Sequence, residues 1–283
     1  YKALRTNFNF SAVDGGNRKV LITSAIPDEG KSSVAINFAI SLTQVGKRVL
    51  LIDADPQANA SSGLGVDIKE LKTTIYECMI GEVKVADATF DTEIEGLKIV
   101  PSHIDLVGAE IEMLNLENRE KCMRNMLVAE KSKYDYIIID CSPSLGLITV
   151  NALTAADSVI IPVQCEYFAL EGISKLLNTI RIIKSKLNPA LQIEGFLLTM
   201  YDARLRLANQ IYEELKGYFG DMVFSTVIPR NIKLSEAPSH GLPVILYDND
   251  SRGAISYRQL AKELVSRNRK SKAAAKKNEK NKE

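Results

Sequence analysis

The 283-residue sequence predicts an α/β fold, a mostly parallel twisted sheet with helices on both faces. From Arg18 onward, short runs rich in β-branched residues alternate with longer segments of helical periodicity, which is typical of strand–helix–strand units. The strands that begin at Tyr136 and Val159 are apolar on both faces, as expected when helices cover both sides of a sheet. A hydrophobic content of 46% supplies one large core and excludes a disordered protein.

The predicted elements follow in chain order. Strands are expected at 19–23, 49–53, 97–100, 136–140, 159–163, 193–198 and 222–227. Helices are expected at 32–45, 107–130, 147–156, 170–187, 205–219 and 254–267. Because sheets of this kind bind ligands beyond the carboxyl ends of their strands, the residues directly after each strand are the candidates for chemistry.

The sequence divides into three parts. An N-terminal arm is expected at residues 1–17, the α/β domain at 18–268 and a basic tail at 269–283. Residues 267–283 hold eight Lys/Arg and two Glu, so the rest of the chain is mildly acidic. The tail has no apolar face, and it is therefore predicted to be disordered and not a membrane anchor. Two readings stay open for it: a solubilising tail or a non-specific contact to nucleic acid.

Nothing in the sequence predicts export or membrane insertion. No signal peptide is visible, and the apolar stretches fall far short of the about 20 residues needed to cross a bilayer. The four cysteines are widely spaced and form no CxxC motif, which indicates reduced thiols rather than disulfides or a zinc site. We therefore expect a cytoplasmic protein.

A phosphate-binding loop is predicted directly after the first strand. Gly30, Lys31 and Ser32 stand between that strand and an apolar helix. Loop and helix N-terminal amides would point at phosphate oxygens, Lys31 would neutralise phosphate charge, and the Ser32 hydroxyl would ligate Mg²⁺. The full pattern would place another glycine where the chain has Ala25. The candidate nucleotide-binding residues are Pro27, Asp28, Glu29, Gly30, Lys31, Ser32 and Ser33.

Acidic residues follow two further predicted strands. Asp53 and Asp55 end the strand at 49–53, and Asp140 ends the strand at 136–140. Since Mg²⁺ keeps several waters and recruits few carboxylates directly, we expect Asp53 and Asp140 to hold its water shell while Ser32 coordinates it. Asp55 is placed to orient an attacking water, or alternatively to cap the turn before Pro56. Lys31, Asp53 and Asp55 are thus the catalytic candidates.

From Asp53 to about residue 268, the chain closely resembles the ParA/Soj proteins, members of the deviant-Walker P-loop ATPases that include MinD. The resemblance covers roughly three-quarters of the chain. It is carried by DADPQAN at 53–59, DCSPSLG at 140–146, VIIPVQCE at 159–166, ALEG at 169–172, IPRN at 228–231 and LSEAPSHG at 234–241.

This resemblance implies a P-loop NTPase fold that uses ATP and Mg²⁺. It further implies a homodimer that forms on ATP binding, coats nucleoid DNA without sequence preference and is released when a ParB partner stimulates hydrolysis. In this family the second acid of the Asp-x-Asp pair is linked to hydrolysis, which favours Asp55 for water activation. A role on the chromosome and a role on a plasmid are both left open.

The first 50 residues resemble a different branch, the bacterial tyrosine kinases. YKALRTNF at 1–8 is similar to their oligomerisation helix, and TSAIPDEGKS at 23–32 is similar to their phosphate loop. ParA proteins carry a signature lysine where this chain has Ile26, and paired glycines where it has Pro27 and Asp28. A natural recombinant, a fragment and a fusion are all compatible with this change. ATP binding is expected to survive it, whereas the survival of dimer-coupled hydrolysis stays open.

Several basic residues are candidates for DNA contacts, because phosphate contacts dominate non-specific affinity. The candidates are Arg204, Arg206, Arg230, Lys233, Arg252 and Arg258. Arg204 and Arg230 stand where the family's DNA-contacting arginines are expected. Pro229 and Asn231 resemble the loop that packs on adenine, so they are candidates for the base site.

A switch that senses the γ-phosphate is predicted in the segment that follows the metal-linked acid. It contains Asp140, Ser142, Pro143 and Gly146. The proline and the glycine are typical of segments that interrupt regular secondary structure. The chain has two histidines and neither lies near a serine or cysteine motif, so a nucleophilic triad has little support.

Two alternative functions remain beside a ParA-type ATPase. The first is a bacterial tyrosine kinase that regulates polysaccharide synthesis, although residues 258–283 lack the tyrosine cluster that such kinases use as phosphoacceptor. The second is a nucleotide-dependent adaptor whose hydrolysis is impaired by Ile26. A MinD-like role at a membrane is disfavoured because the tail lacks an apolar face.

Overall fold

A computed structural model of the chain describes residues 18–144, 146–166 and 169–280, with side chains through residue 269. Seven strands form one sheet in the order β3-β4-β2-β5-β1-β6-β7. Every pairing is parallel except β3 with β4. The strands are β1 (Arg18–Ile22), β2 (Val49–Ala54), β3 (Phe90–Asp91), β4 (Leu97–Val100), β5 (Tyr136–Cys141), β6 (Ser158–Gln164) and β7 (Gln192–Thr199). The predicted fold class is confirmed.

The helices connect these strands. They are α1 (Lys31–Thr43), α2 (Asn59–Ser62), α3 (Ile75–Ile80), α4 (Leu106–Glu112), α5 (Cys122–Met126), α6 (Leu147–Ala155), α7 (Ala169–Lys186), α8 (Arg206–Phe219), α9 (Ile232–Glu236), α10 (Val244–Tyr247) and α11 (Arg252–Lys280). Short 3₁₀ turns lie at Met113–Asn115, Arg119–Lys121, Gly220–Met222 and Ala237–His240.

The sheet divides the core into two layers because successive side chains of a strand point to opposite faces. Val20 and Ile22 of β1 pack in the cluster formed with α1 and α11. Leu21, between them, packs in the cluster formed with α6 and α7. Each strand of the sheet centre is thus buried on both faces, which explains the continuous apolar runs in the sequence.

The central strand β5 determines where the polar residues meet. It pairs in parallel with β1 and with β2, and its residue Asp140 is in register with Ile22 on one side and with Asp53 on the other. The loop that leads into α1 leaves β1 one residue later. Consequently the loop and two acids are brought to the same edge of the sheet by strand pairing alone.

The long helix predicted at 107–130 does not form as one element. It is divided into α4, two 3₁₀ turns and α5, with a left-handed residue at Asn118 (φ 56°) between them. The side chain of Asn151 accepts a hydrogen bond from the Met123 amide and donates one to the Arg119 carbonyl. These tertiary hydrogen bonds satisfy backbone groups that a continuous helix would have paired internally.

The strand predicted at 222–227 is wrong. This segment meets β7 only at isolated points, such as the Phe224 amide on the Phe196 carbonyl. The amides of Ser225 and Thr226 instead donate to the carboxylate of Glu263 on α11, at 2.9 and 2.8 Å. The two-residue strand β3 was not predicted, since it is too short to show a periodicity.

The predicted tail and arm have different outcomes. Helix α11 continues to Lys280, so residues 269–280 are helical where disorder was predicted. The alanines and lysines of this segment have high helix propensity, which explains the continuation. The N-terminal arm at 1–17 lies outside the described residues. The division of the chain into arm, domain and tail therefore stays a prediction.

Among the described residues, no helix combines the length and the apolar character that a membrane crossing requires.

Candidate nucleotide site

The loop between β1 and α1 has the backbone shape that a phosphate site requires. Gly30, the residue before α1, adopts a left-handed conformation with φ 78°, which glycine reaches without a steric penalty. Asp28 also has a positive φ of 61°. Lys31 is the first helical residue and only 7% exposed. The helix thus directs its free N-terminal amides and one ammonium group toward the same space.

Two cavities lie on either side of the peptide bond between Gly30 and Lys31. The larger has a volume of about 450 Å³ and is lined by Lys31, Asp55, Pro27, Asp28, Ser142 and Pro143, among others. The smaller, of about 170 Å³, is lined by Gly30, Ser33, Met200, Pro229, Arg230 and Asn231, among others. A nucleotide bound across the start of α1 would have its terminal phosphate in the larger cavity and its base in the smaller one.

The Glu29 side chain lines neither cavity, although the sequence makes Glu29 a nucleotide-binding candidate. Its side chain is fully buried beneath the loop, where it accepts hydrogen bonds from the amides of Ala25, Ile26 and Gln164. These backbone donors draw the carboxylate inward and away from the cavity. Burial raises the pKa of Glu29, and the hydrogen bonds from the amides oppose this rise. Asp28, in contrast, is exposed and lines the larger cavity.

Asp53 is completely buried and already bound by protein donors. One oxygen accepts from the amide and hydroxyl of Ser61, at 2.8 and 2.7 Å, and the other accepts from the Asp55 amide at 3.2 Å. The Ser61 hydroxyl in turn accepts from the Ser102 amide. Asp53 therefore ties the ends of β2 and β4 together, and its part in a metal's water shell stays a prediction.

Asp140 is buried beside Asp53 but lacks comparable partners. Both of its carboxylate oxygens are inaccessible, and neither accepts a protein hydrogen bond of good geometry within the described residues. Burial raises the pKa of Asp140, the adjacent Asp53 raises it further, and the Ser32 hydroxyl opposes part of the rise. An unpaired buried carboxylate is costly, and a hydrated divalent cation is a partner that relieves this cost. The residues present therefore fit Mg²⁺, with Ser32 and Asp140 as the groups that would hold it.

Asp55 has the structural role considered for it, and its role in orienting an attacking water stays a prediction. One of its oxygens accepts from the Gln57 amide at 3.0 Å, which caps the turn before Pro56. The same residue lines the larger cavity opposite Lys31. The structure thus places Lys31 and Asp55 on one cavity and Asp53 and Asp140 beneath it. Their catalytic roles stay predictions.

The predicted switch segment lies along the wall of the larger cavity. The Thr23 hydroxyl donates to the Ser142 carbonyl at 3.3 Å, which ties the end of β1 to this segment. Ser142 also contacts the hydroxyl of Ser144 at 3.0 Å. Pro143 lines the cavity, and Leu145 lies outside the described residues.

Glu110 of α4 is a residue of this site that the sequence did not reveal. Its carboxylate accepts from the Ile148 amide at 3.1 Å and lies so close to Gly146 that a Cβ there would meet it at 2.2 Å. It therefore caps the first turn of α6 directly after the switch. No local motif marks Glu110, because only the tertiary fold brings α4 to this position.

The base-site candidates flank the smaller cavity. Pro229 and Asn231 line it together with Met200, a residue with a left-handed φ of 49°. The side chain of Asn231 accepts from the Lys233 amide at 2.8 Å and thereby caps α9. Asn231 thus has a structural partner as well as a position beside the predicted base.

The basic candidates for DNA contacts differ in exposure and in how many of their donors are already paired within the protein. Arg204, Arg206, Arg230 and Arg252 are exposed. Arg204 forms an ion pair with Asp202 at 2.7 Å, and this contact, helped by nearby Arg230, lowers the pKa of Asp202 to about 2. Lys233 is paired with Glu236.

Arg258 donates two hydrogen bonds to Asn249, which makes it the least available of the candidates.

Comparison with known sequences identifies close relatives. A family model described as an AAA domain matches residues 28–193. The sporulation initiation inhibitor protein Soj of Bacillus subtilis is 53% identical over 246 residues, which span 87% of this chain and 97% of that protein. The chromosome partitioning protein ParA of Myxococcus xanthus is 50% identical over 250 residues, or 88% of each chain.

Comparison with solved structures supports the fold and the ligands. Cobyrinic acid a,c-diamide synthase from Mycobacterium smegmatis, with bound ADP and magnesium, is 33% identical with a TM-score of 0.77, over 88% of this chain and 94% of that one. The septum site-determining protein MinD from Pyrococcus horikoshii, in complex with Mg-ADP, is 27% identical with a TM-score of 0.74, over 88% and 96%. A nucleotide and Mg²⁺ are thus consistent with this fold.

Replacing Asp140 by asparagine should remove the Mg²⁺ dependence of nucleotide binding. The neutral amide has the same shape but no charge to hold the cation's water shell, and losses of this kind are roughly 10- to 100-fold in affinity. Nucleotide affinity titrated with and without Mg²⁺ measures the effect. Asp91→Asn, at an exposed position on β3, is the control. Retention of the full Mg²⁺ effect in Asp140→Asn would contradict the assignment.

Proposed function

The chain belongs to the Soj/ParA family of chromosome-partitioning P-loop ATPases, and we propose that it works as an ATP-driven positioning switch for DNA. Mg-ATP binding brings two copies together, the dimer binds DNA without sequence preference, and a ParB-like partner stimulates hydrolysis and release. The observation that carries this proposal is that Lys31 and Asp55 line one cavity, while Asp140 is buried in register with Asp53 at the neighbouring strand ends.

Nucleotide binding rests on the loop. The N-terminal amides of α1 and the Lys31 ammonium bind the phosphates, while Pro229 and Asn231 lie against the base. Mg²⁺, when bound, would supply positive charge against the phosphate oxygens. Ser32 and Asp140 would hold this ion, and the carboxylate of Asp55 would orient the attacking water.

Dimerisation is supported by the surface around the larger cavity. Ile104 and Val107 line its mouth, yet their side chains are 55% and 52% exposed, and Ile111 one turn further along α4 is 67% exposed. An apolar stripe at the entrance to a phosphate site is unfavourable in water. A second copy that covers it on ATP binding would bury the stripe and close the cavity in one step.

DNA binding is supported by the exposed arginines beyond the carboxyl end of β7. Arg204, Arg206 and Arg230 lie in two neighbouring segments that the backbone joins, since the Arg230 amide donates to the Tyr201 carbonyl. Because such contacts are to phosphates, affinity should fall with salt and be indifferent to base sequence. This activity would give the cytoplasmic protein its association with the nucleoid.

The relatives favour partitioning over the tyrosine-kinase alternative. The adaptor alternative rests on Ile26, which stands where the family has its signature lysine. Without a lysine at this position, the ATP-bound dimer lacks one charge-assisted contact to the partner copy's phosphates. Such a contact typically contributes about 1.5–3 kcal/mol. Weak intrinsic hydrolysis is therefore part of the proposal.

Replacing Arg230 by alanine should weaken ATP-dependent binding to arbitrary duplex DNA. The slope of log affinity against log salt concentration should also become shallower by about 1, because one phosphate contact is lost. Fluorescence anisotropy with a labelled duplex, measured with ATP over a range of salt concentrations, provides the readout. Arg48→Ala is the matched control, because Arg48 is also exposed but precedes β2 at the opposite edge of the sheet. Equal losses in the two variants would exclude this surface as the DNA site.

Replacing Ile26 by lysine should raise ATP turnover in the presence of DNA and a cognate ParB, because it restores a cation beside the phosphates. Each 1.4 kcal/mol recovered in the transition state corresponds to about tenfold in rate. ATP turnover is measured with and without DNA and ParB for both proteins. No gain in the variant would refute the missing cation as the defect, and phosphotyrosine formed by the original chain would favour the kinase.

A further inference from the structure

An acidic residue is buried inside the nucleotide loop itself. Glu29 stands two positions before Lys31, and its exposed fraction is 0%. An acid at this position would repel phosphates if it faced them. Instead, the loop wraps around the carboxylate, and backbone N–H groups supply its hydrogen bonds.

The contacts of Glu29 join three segments of the fold. One oxygen accepts from the amides of Ala25 and Ile26 at 3.1 and 3.2 Å, which holds the beginning of the loop. The other oxygen accepts from the amide of Gln164 at 3.2 Å, at the end of β6. The carbonyl of Glu29 accepts from the Thr199 hydroxyl at 3.0 Å, at the end of β7.

These contacts have a consequence for the loop without nucleotide. Two amides at the start of a phosphate loop have no partner of their own and would otherwise be unsatisfied or turn toward water. With Glu29 they have an anion that is part of the chain, so the loop keeps one conformation before any ligand arrives. Ordering a loop in advance removes that entropy loss from the binding step.

The neighbouring helix supports the same arrangement. Gly172 of α7 lies against the loop, since a Cβ at that position would meet the Cβ of Ala25 at 2.8 Å. The stretch of chain that Glu29 holds is thus also in close contact with α7. Movement of the start of the loop would require both the Glu29 hydrogen bonds and this contact to change.

We propose that Glu29 is a positioning residue for the nucleotide, a buried carboxylate that holds the loop in its binding conformation and anchors it to the ends of β6 and β7. It does not touch the nucleotide. The inference requires that the loop binds a nucleotide, but it is independent of DNA binding, dimerisation and the partner.

The test compares two neighbouring acids with opposite expected outcomes. In Glu29→Gln, the side-chain NH₂ replaces an acceptor, so one backbone N–H faces a donor, and Mg-ATP affinity should fall at least tenfold. In Asp28→Asn, an exposed negative charge on the larger cavity is removed while asparagine tolerates the positive φ, so Mg-ATP affinity should rise. Calorimetric titration of the full chain with Mg-ATP measures both.

A third variant separates positioning from general stability. Leu264→Ala, at a buried position of α11 that lines neither cavity, lowers the melting temperature by removing core packing, whereas Mg-ATP affinity measured well below that temperature should stay unchanged. A rise in affinity in Glu29→Gln, parallel to Asp28→Asn, would overturn the proposal and make Glu29 a simple repelling charge. A fall in Mg-ATP affinity in Leu264→Ala as large as that in Glu29→Gln would also overturn it, because the loss of affinity would then follow from lower stability alone. Both measurements are made without DNA or ParB, so a failure of those activities leaves this result unaffected.

Discussion

The site depends on one electrostatic constraint, the burial of Asp140 next to Asp53 at the carboxyl edge of the sheet. Parallel pairing of β5 with β2 places these two acids directly opposite each other, and pairing with β1 places the phosphate loop beside them. Asp53 is satisfied by Ser61, but the oxygens of Asp140 lack comparable donors in the part of the chain that the structure describes. Two adjacent buried carboxylates, of which one is unpaired, are unfavourable when both are charged, which is why the pKa of Asp140 is raised and why a cation would stabilise the charged pair. The strand pairing that stabilises the sheet therefore also places two acids where a nucleotide's phosphates and Mg²⁺ would lie, and positive charge at this place would stabilise them.

The loop above these acids departs from its family in a consistent way. Where the relatives are expected to carry a lysine and two glycines, this chain has Ile26, Pro27 and Asp28. The loop nevertheless keeps a phosphate-binding shape, with a left-handed Gly30 and a buried Lys31. Glu29 accepts hydrogen bonds from the amides of Ala25 and Ile26, so contacts within the chain support this shape. Under the proposed function, changes in this loop would affect nucleotide binding and partner-stimulated hydrolysis separately.

The sequence predicted the features that are local or periodic. The central strands, α1 and the positions of Lys31, Asp53 and Asp140 could be predicted because apolar runs end in polar motifs at strand ends. The continuous helix at 107–130 and the strand at 222–227 failed because Asn151 and Glu263, which are distant in sequence, bind the backbone of those segments. The inward direction of Glu29 and the capping of α6 by Glu110 depend on the same kind of long-range contact. Composition and spacing contain no signal for such contacts, since the donors and acceptors are ordinary main-chain groups.

The central claim is that one Mg-nucleotide is held between the phosphate loop and the acids of β2 and β5. The most direct measurement is a crystal structure of the full chain with Mg²⁺ and a non-hydrolysable ATP analogue. The account predicts the phosphates at the N-terminus of α1, the metal bound by the Ser32 hydroxyl, and a metal-bound water on Asp140. A nucleotide bound elsewhere, or a metal in this site that leaves Asp140 without a partner, would contradict it.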